Sequence, residues 1–253
     1  MRSTIATSFL LASLVYARDI PANLQAFYDA NLNAACVDPI SDAFTSGQAD
    51  ADTVYCKDDA SGAVFLKDSK NGGFADMDID CDGLNADQGD CHNDPTGQSI
   101  TAFQDEVSQF GIKDLDAHIH TYVVFGNEGD NPSFSPTDAA DIQHLSVVAV
   151  LCNNQLLYGV WGDTNGATSV GESSLALGQL CFPDEEINGD SGHTEHDVLY
   201  IAFPGEDAVP GAKANWKAST REAFEQSLQE TGDALVQKIG SGNAKSRIMR
   251  GKL

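Results

Sequence analysis

Apolar residues recur at helical spacing near both ends of the chain. Residues 22–35 carry apolar side chains at this spacing and predict a short helix. Residues 219–239 predict a longer one, with Ser219 and Glu222 as a capping box at its start. The apolar face of this helix consists of Phe224, Leu228, Leu235 and Ile239.

Between these helices the pattern favours β-strands. In residues 145–163, two apolar, β-branched runs flank Asn153 and Asn154, which tolerate positive φ, and this predicts a β-hairpin. Residues 121–126 and 197–203 predict further buried strands. Residues 57–100 are rich in Asp, Gly and Asn, and we expect them to run over the surface.

This order of elements predicts a mostly β fold, with a compact barrel-like core and peripheral helices and long loops. The chain has 253 residues, which suits one large domain with a substantial core. It contains no internal repeat and no long linker. We expect a single domain over residues 18–253, a basic tail at about 241–253, and a monomer.

The first 17 residues have the features of a secretory signal peptide. Arg2 supplies the positive charge, residues 5–15 form a short apolar run, and small residues precede Arg18. A membrane-spanning helix needs about 20 apolar residues, more than this run provides. We therefore predict a secreted, extracellular protein without a membrane anchor.

Six cysteines remain after this segment, and an even number in a secreted chain predicts disulfides. They are Cys36, Cys56, Cys81, Cys91, Cys152 and Cys181. Fifteen pairings are possible for six cysteines, and the sequence does not select among them. Cys81 and Cys91 are near enough in sequence to close a short loop.

The charge of the chain restricts its partners. There are 38 acidic and 14 basic residues, a net charge of -24. Nucleic-acid binding depends on clustered Lys and Arg, so this balance argues against it. A cationic partner suits the chain instead.

The densest acidic segment is Asp76-Met77-Asp78-Ile79-Asp80-Cys81-Asp82-Gly83. On a strand its aspartates would share one face and would require a cation or open solvent. Three interpretations remain: a calcium loop, a subsite for an amine-bearing substrate, and a solvated acidic loop. Asp78, Asp80, Asp82 and Gly83 match the start of an EF-hand loop, but position 12 is Gly89 rather than Glu.

The histidines give weaker evidence for a metal. His118 and His120 would lie on one face of a strand, and zinc hydrolases use such ligands. The segment His193-Thr194-Glu195-His196 lacks the HExxH spacing. We therefore predict no metal site.

Two further acids flank a short loop after the hairpin. Asp163 ends an apolar strand, and Glu172 precedes a segment, 173–180, that has helical character. Glycoside hydrolysis requires a carboxylic acid and a carboxylate on opposite sides of the scissile bond. Tyr158 and Trp161 would offer flat faces to sugar rings, and Asn165 lies in the turn between the acids.

Several long strings, in order, carry a family resemblance. They are GGFADMDIDCDG (72–83), GQSITAF (97–103), HTYVVFGN (120–127), LSVVAVLCNNQLLYGVWGDTNG (145–166), SVGESSLALGQLCFP (169–183) and DVLYIAF (197–203). Over roughly residues 30–240 the sequence resembles the secreted fungal chitosanases of glycoside hydrolase family 75. The resemblance implies a six-stranded double-psi β-barrel core.

It also implies endo-hydrolysis of the β-1,4 links between glucosamine units of chitosan, with inversion and without a cofactor. The essential acids of the family correspond to Asp163 and Glu172. We expect Asp163 to be the general acid, because apolar Trp161 would raise its pKa. Glu172, near a helix N-terminus, would ionise more easily and act as the base.

Chitosan is a polycation when its amines are protonated, and Asp76, Asp78 and Asp80 would bind its ammonium groups. Two other functions remain open. One is a non-catalytic secreted acidic protein that binds cationic polysaccharide or calcium. The other is a hydrolase of a related polymer such as chitin or β-glucan.

Overall fold

The computed structural model describes residues 18–47, 50–70, 72–129 and 132–240. The predicted signal peptide (1–17) and basic tail (241–253) lie outside the described residues. Within these residues there are five α-helices: α1 (Ala22–Leu32), α2 (Gln104–Ser108), α3 (Pro136–Ala140), α4 (Leu175–Cys181) and α5 (Arg221–Val236). The strands are β1 (Thr45–Ser46), β2 (Thr53–Lys57), β3 (Val64–Asp68), β4 (Ala75–Asp80), β5 (Tyr122–Asn127), β6 (Val147–Cys152), β7 (Gln155–Asn165), β8 (Ser169–Val170), β9 (Glu172–Ser174) and β10 (His193–Ala202).

The pairings of six of these strands follow a closed circuit. Strand β10 pairs with β4, and the order continues through β9, β5, β7 and β6 back to β10. The pairs β4–β9 and β5–β7 are parallel, whereas β5–β9 and β6–β7 are antiparallel. The predicted mostly β architecture with peripheral helices is therefore confirmed.

The circuit closes unevenly at β10. The start of β10, from His193 to Val198, pairs with β4 across an irregular register. Its end pairs with β3, which in turn pairs with β2, so these two strands extend the sheet outward. Strands β1 and β8 pair in parallel as a separate, two-stranded sheet.

The predicted hairpin is confirmed as β6 and β7. Their register runs from Val147 opposite Val160 to Cys152 opposite Gln155. The turn residues Asn153 and Asn154 have φ values of 46° and 57°. Asn tolerates this left-handed region better than β-branched residues, so the pair ends one strand and starts the next.

The expectation that residues 57–100 run over the surface is wrong for two segments. Strand β3 is buried along its whole length, and β4 lies inside the circuit between β9 and β10. The physical reason is the alternation in β4. Ala75, Met77 and Ile79 are buried in the core, and aspartates occupy the positions between them.

The two terminal helices are confirmed, with one shift at a cap. The N-cap of α5 is Thr220 rather than Ser219, and its side chain accepts the backbone N–H of Ala223. The predicted apolar face of this helix is buried. It packs against β7, where Gly232 lies so close to the Tyr158 ring that a Cβ would come within 2.4 Å of it.

The six cysteines form three disulfides: Cys36–Cys56, Cys81–Cys91 and Cys152–Cys181. The short loop anticipated between Cys81 and Cys91 is therefore present. Three disulfides are consistent with an oxidising compartment. Among the described helices, none combines the length and apolar character needed to cross a bilayer.

Candidate active site

Three strands bring acidic side chains to one level of the sheet, and a fourth strand, β5, lies between two of them. Val124 of β5 pairs with Asp163 of β7 on one side and with Glu172 of β9 on the other. Glu172 pairs in turn with Asp78 of β4. Residues in register across neighbouring strands point to the same face. The order Asp78, Glu172, Val124, Asp163 is therefore one row, and both predicted catalytic acids belong to it.

This row opens into a cleft of about 620 Å³. Seven carboxylate side chains line it: Asp78, Asp80, Asp82, Asp94, Asp163, Glu172 and Asp190. No Lys, Arg or His belongs to the lining within the described residues. Most of the remaining lining comes from small or polar residues of the segments 95–98, 164–169 and 189–192. The cleft is thus suited to an extended cationic ligand.

Backbone N–H groups form hydrogen bonds with only one of the two carboxylate oxygens of Asp163. Its Oδ1 accepts the N–H groups of Ala102 and Thr164, at 3.0 and 2.7 Å. Its Oδ2 is buried and has no hydrogen-bond partner, and the whole residue is 5% exposed. Burial raises the pKa of Asp163 to about 7, against the opposing effect of the two N–H groups. Such a carboxyl group is mostly protonated below about pH 7.

Glu172 accepts hydrogen bonds on both oxygens. Ser169 donates its hydroxyl to Oε1 at 2.9 Å, and Asn165 donates its amide N–H to Oε2 at 2.8 Å. Burial raises the pKa of Glu172 to about 7, and these two hydrogen bonds oppose the rise, with Ser169 the stronger. The expected contrast in pKa between the acids is therefore wrong, because desolvation raises both values. Glu172 also lies in β9, outside α4, whose N-cap is Ser174.

Asp80, Asp82 and Asp163 form a compact cluster, with one carboxylate oxygen of each within 4.8 Å of the others. Such a set has the chemistry to hold a cation. The EF-hand interpretation is wrong for this segment, since Asp78 and Asp80 belong to strand β4 instead of a loop between helices. Asp78 instead pairs with Glu172.

Three of the predicted substrate-binding residues do not line the cleft. Asp76 is buried and accepts the hydroxyl of Ser46 at 2.5 Å. Tyr158 is buried under α5 and donates its hydroxyl to Asp233 at 2.8 Å. Trp161 is buried and donates its indole N–H to the backbone carbonyl of Asp163. None of these three side chains is exposed to a ligand in the cleft, because all three are buried.

The other predicted binding residues, Asp78, Asp80 and Asn165, do line the cleft. Sequence reasoning missed Asp94, Ser169 and Asp190. Asp94 and Asp190 come from loops that meet through a hydrogen bond from Asn93 to Asn188 at 2.8 Å. They are 96 positions apart in the sequence, so no local pattern connects them. Ser169 could have been predicted as a site residue, since it stands three residues before Glu172 within the SVGE string.

The histidines lie away from this cleft. His118 and His120 are in a turn, so they do not share a strand face as expected. Their rings contact Asp116 and the backbone of Gln88 and Trp216. His144 stacks on Phe103, with ring centroids 4.0 Å apart.

Comparison with known proteins identifies relatives over most of the chain. A family described as fungal chitosanase of glycosyl hydrolase group 75 matches residues 77–238. Endo-chitosanase B of Aspergillus oryzae is 48% identical over 93% of this chain and 98% of that protein. Endo-chitosanase of Aspergillus fumigatus is 48% identical over the same shares.

A third relative covers less. Endo-chitosanase C of Aspergillus oryzae is 37% identical over 64% of this chain and 38% of its own length. The family match spans β4 through α5, the segment that supplies every cleft residue described above. Together with the near-complete alignment to the first two relatives, this match shows that the chain belongs to the fungal chitosanases of glycosyl hydrolase group 75.

Proposed function

We propose that the protein is an endo-chitosanase, a glycoside hydrolase that cleaves β-1,4 links between glucosamine units of chitosan. This proposal rests on one observation. Val124 pairs with Asp163 on one neighbouring strand and with Glu172 on the other, and both acids line a cleft of carboxylates. The names of the relatives support it.

The spacing of the acids supports an inverting reaction. Neighbouring strands lie about 4.8 Å apart, so two acids separated by one strand have backbones about 9.5 Å apart. Inverting enzymes need about 6.5–9.5 Å between the carboxyl groups to admit a water, whereas retaining enzymes have about 5–5.5 Å. We therefore expect the two carboxyl groups to fall in the longer range.

The hydrogen bonds support a division of roles. In this mechanism Asp163 donates its proton to the glycosidic oxygen as the bond from that oxygen to C1 breaks. Glu172 takes a proton from the water that attacks C1 from the opposite face, and the product has the α configuration. The unpartnered oxygen of Asp163 suits the acid, and the two donors on Glu172 suit a carboxylate base.

The charge of the cleft supports a preference for deacetylated units. Asp78 and Asp190 line the cleft and would accept hydrogen bonds from glucosamine ammonium groups. An N-acetyl group carries no charge and gains none of this attraction. Asp94 is less available, because it accepts the backbone N–H groups of Cys81 and Thr96.

Three finer statements belong to the same proposal. The six-strand circuit is a double-psi β-barrel, which its mixture of parallel and antiparallel pairs supports. The protein is secreted after removal of residues 1–17, which its disulfides support, and it acts as a monomer. Residues 18–253 act as one catalytic domain.

The central experiment compares Asp163→Asn and Glu172→Gln with the wild type on soluble chitosan. Each change keeps the shape of the side chain and removes its acid–base chemistry. We expect oligosaccharide release to fall at least about 1,000-fold in each variant, with circular dichroism and melting temperature retained. A matched control is Asp59→Asn, an exposed residue outside the cleft, which should keep full activity. Near wild-type cleavage by both acid variants would rule out the proposed machinery.

Three further measurements address the substrate, the stereochemistry and the roles of the two acids. Parallel assays on chitin and carboxymethyl cellulose should give little product. Proton NMR early in the reaction should show the α-anomer first. Azide should restore activity to Glu172→Ala by replacing water, whereas restoration of Asp163→Ala instead would exchange the two roles.

A further inference from the structure

Asp114 is a fully buried carboxyl group outside the cleft, in the connection between α2 and β5. Its Oδ1 accepts the hydroxyl of Thr101 at 2.6 Å and the backbone N–H of Leu115 at 2.8 Å. Its Oδ2 accepts the backbone N–H of Thr101 and the side-chain N–H of Gln104, both at 3.0 Å. Asp114 is the acceptor in all four contacts, which fits an ionised carboxylate.

These hydrogen bonds hold both ends of the segment 101–104 on one carboxylate. Within the segment Phe103 is buried, and its ring packs edge-on against the ring of Trp161, with centroids 5.2 Å apart. The backbone of Ala102 is therefore held from both sides. Asp114 fixes the residue before it, and the core fixes the residue after it.

The N–H group of Ala102 reaches the proposed general acid. It donates to Oδ1 of Asp163 at 3.0 Å, and the N–H of Thr164 donates to the same oxygen at 2.7 Å. Two donors on Oδ1 leave the buried, unpartnered Oδ2 as the oxygen that can carry a proton. Thr164 follows Asp163 in β7, so the strand itself positions its N–H. Ala102 is 61 positions away, and its N–H depends on whatever holds its segment.

The connection that carries Asp114 also contacts the strand of the acid. Leu115 packs against Gly162, the residue before Asp163, where a Cβ would come within 2.6 Å of the Leu115 side chain. Burial is the main cause of the raised pKa of Asp163, and repulsion from Asp82 and then from Asp114 adds to it. Asp114 thus acts on the acid by contact through its neighbours and by its charge.

We propose that Asp114 is a positioning residue for Asp163. Through Thr101 it holds the N–H of Ala102 on Oδ1, so that Oδ2 carries the proton and delivers it to the glycosidic oxygen. This inference rests on the proposed function, with Asp163 as the general acid. Asp114 does not line the cleft, so it influences the reaction through Asp163 rather than by contact with the substrate.

The first test compares Asp114→Asn with the wild type on soluble chitosan. The side-chain NH2 of asparagine cannot accept the N–H groups of Thr101 and Gln104 that Oδ2 accepts, so Ala102 loses its support. We expect kcat to fall about 10–100-fold with KM within about twofold of the wild type, because only the chemical step depends on this contact. An increase in KM alone would mean a substrate contact and would overturn the proposal.

Asp116→Asn is the matched control, two residues further along the same connection. Asp116 is also buried, but it accepts hydrogen bonds from Asn85 and His118 and none from the segment 101–104. This variant should lower the melting temperature and keep kcat. If Asp114→Asn and Asp116→Asn lose kcat equally, the effect comes from general loss of structure and the proposal is wrong.

Thr101→Val tests the same contact even if Asp114→Asn does not fold. Valine has the shape of threonine but lacks the hydroxyl that donates to Asp114. We expect kcat to fall by about 3–10-fold, and Thr101→Ser, which keeps the hydroxyl, to recover most of this loss. Equal losses in the two variants would assign the effect to packing and overturn the proposal.

Nitrogen-15 NMR reports the contact without an activity assay. In the wild type the amide signals of Ala102 and Thr164 should both follow the titration of Asp163, and Asp163→Asn should abolish this response. In Asp114→Asn the response of Ala102 should be lost while that of Thr164 remains. A response of Ala102 that is absent in the wild type or unchanged in the variant would refute the inference. If instead the wild type fails to cleave chitosan, the proposed function is wrong, and the NMR result stands apart from that failure.

Discussion

Asn165 donates its side-chain N–H to Oε2 of Glu172 at 2.8 Å. The same amide group also donates to the hydroxyl of Ser169, which in turn donates to Oε1 of Glu172. Asn165 was expected to bind substrate. The structure places it in the cleft wall at the end of β7, where it also connects the strand of one proposed catalytic acid to the side chain of the other.

Replacing Asn165 should therefore alter the chemistry of Glu172. In Asn165→Ala the carboxylate loses a hydrogen bond that stabilises its ionised form, so its pKa rises. We expect the acidic limb of the kcat/KM profile to move to higher pH and kcat to fall by about 10–100-fold. Asn215→Ala, at an exposed position outside the cleft, serves as the control. An increase in KM with an unmoved acidic limb would return Asn165 to a substrate-binding role.

Buried carboxyl groups should make the fold most stable in acid. Burial raises the pKa of Asp76 to about 8, of Asp163 and Glu172 to about 7, and of Asp82 to about 6. In the unfolded chain these groups titrate near pH 4. Between about pH 4 and 8 the folded state therefore binds more protons than the unfolded state, and the free energy of unfolding falls as pH rises.

Urea unfolding at pH 4.5, 6 and 8 measures this decline. Asp76→Asn should flatten it and stabilise the protein by about 1–3 kcal/mol at pH 8, because no charge is then buried beside Ser46. Asp59→Asn should follow the wild type. The account fails if the stability of the wild type is constant or increases over this range, or if both variants behave alike.

The Cys81–Cys91 disulfide should affect activity as well as stability. Cys81 lies between Asp80 and Asp82 in the chain, and its backbone N–H donates to Asp94 in the cleft wall. The double change Cys81→Ser with Cys91→Ser should cost about 2–4 kcal/mol of stability. We expect kcat/KM to fall at least about 10-fold at a temperature where the variant remains folded, because the acidic cluster loses its fixed geometry.

The pair Cys36–Cys56 provides the comparison for that experiment. It connects the segment after α1 to β2 and does not line the cleft. Its removal should cost a similar amount of stability with little change in kcat/KM under the same conditions. Equal losses of activity in the two double variants would show that the Cys81–Cys91 loop has no particular importance for the site.

Salt should weaken the interaction with chitosan through the exposed acids of the cleft. Asp190 lines the cleft and is exposed, so its attraction for an ammonium group is screened as ionic strength rises. Asp190→Asn should raise KM a few-fold at low salt and reduce the dependence of KM on salt. The control is again Asp59→Asn, which keeps the same net charge as Asp190→Asn. If both changes raise KM equally, overall charge rather than the cleft attracts the polymer.

Local sequence patterns predicted the helices and strands well where the residues have strong backbone preferences. The hairpin depended on Asn153 and Asn154, whose positive φ values are confirmed. Strand β4 was harder to place, because its alternation of apolar and acidic residues also fits an acidic loop. What makes it a strand is long-range pairing with β9 and β10, which lie about 95 and 115 residues away along the chain.

The sequence predicted that the two acids would face one cleft, but it did not predict where the aromatic residues lie. Asp163 and Glu172 were assigned from strings that resemble those of the family, and both line the same cleft. Tyr158 and Trp161 belong to the same strand as Asp163, but β7 lies between β5 and β6 with α5 packed nearby. Their rings therefore fill the core, and only knowledge of the packing on both faces of β7 could have shown this.

The pairing of both acids with Val124 has a consequence for how this protein can change through evolution. The segment between the acids includes Gly166 and Ala167, which are exposed at the edge of the cleft. Because strand pairing fixes the distance between the acids, insertions in this segment can reshape the entrance without altering that distance. Preference among polymers can therefore diverge while the stereochemical course of hydrolysis is inherited intact.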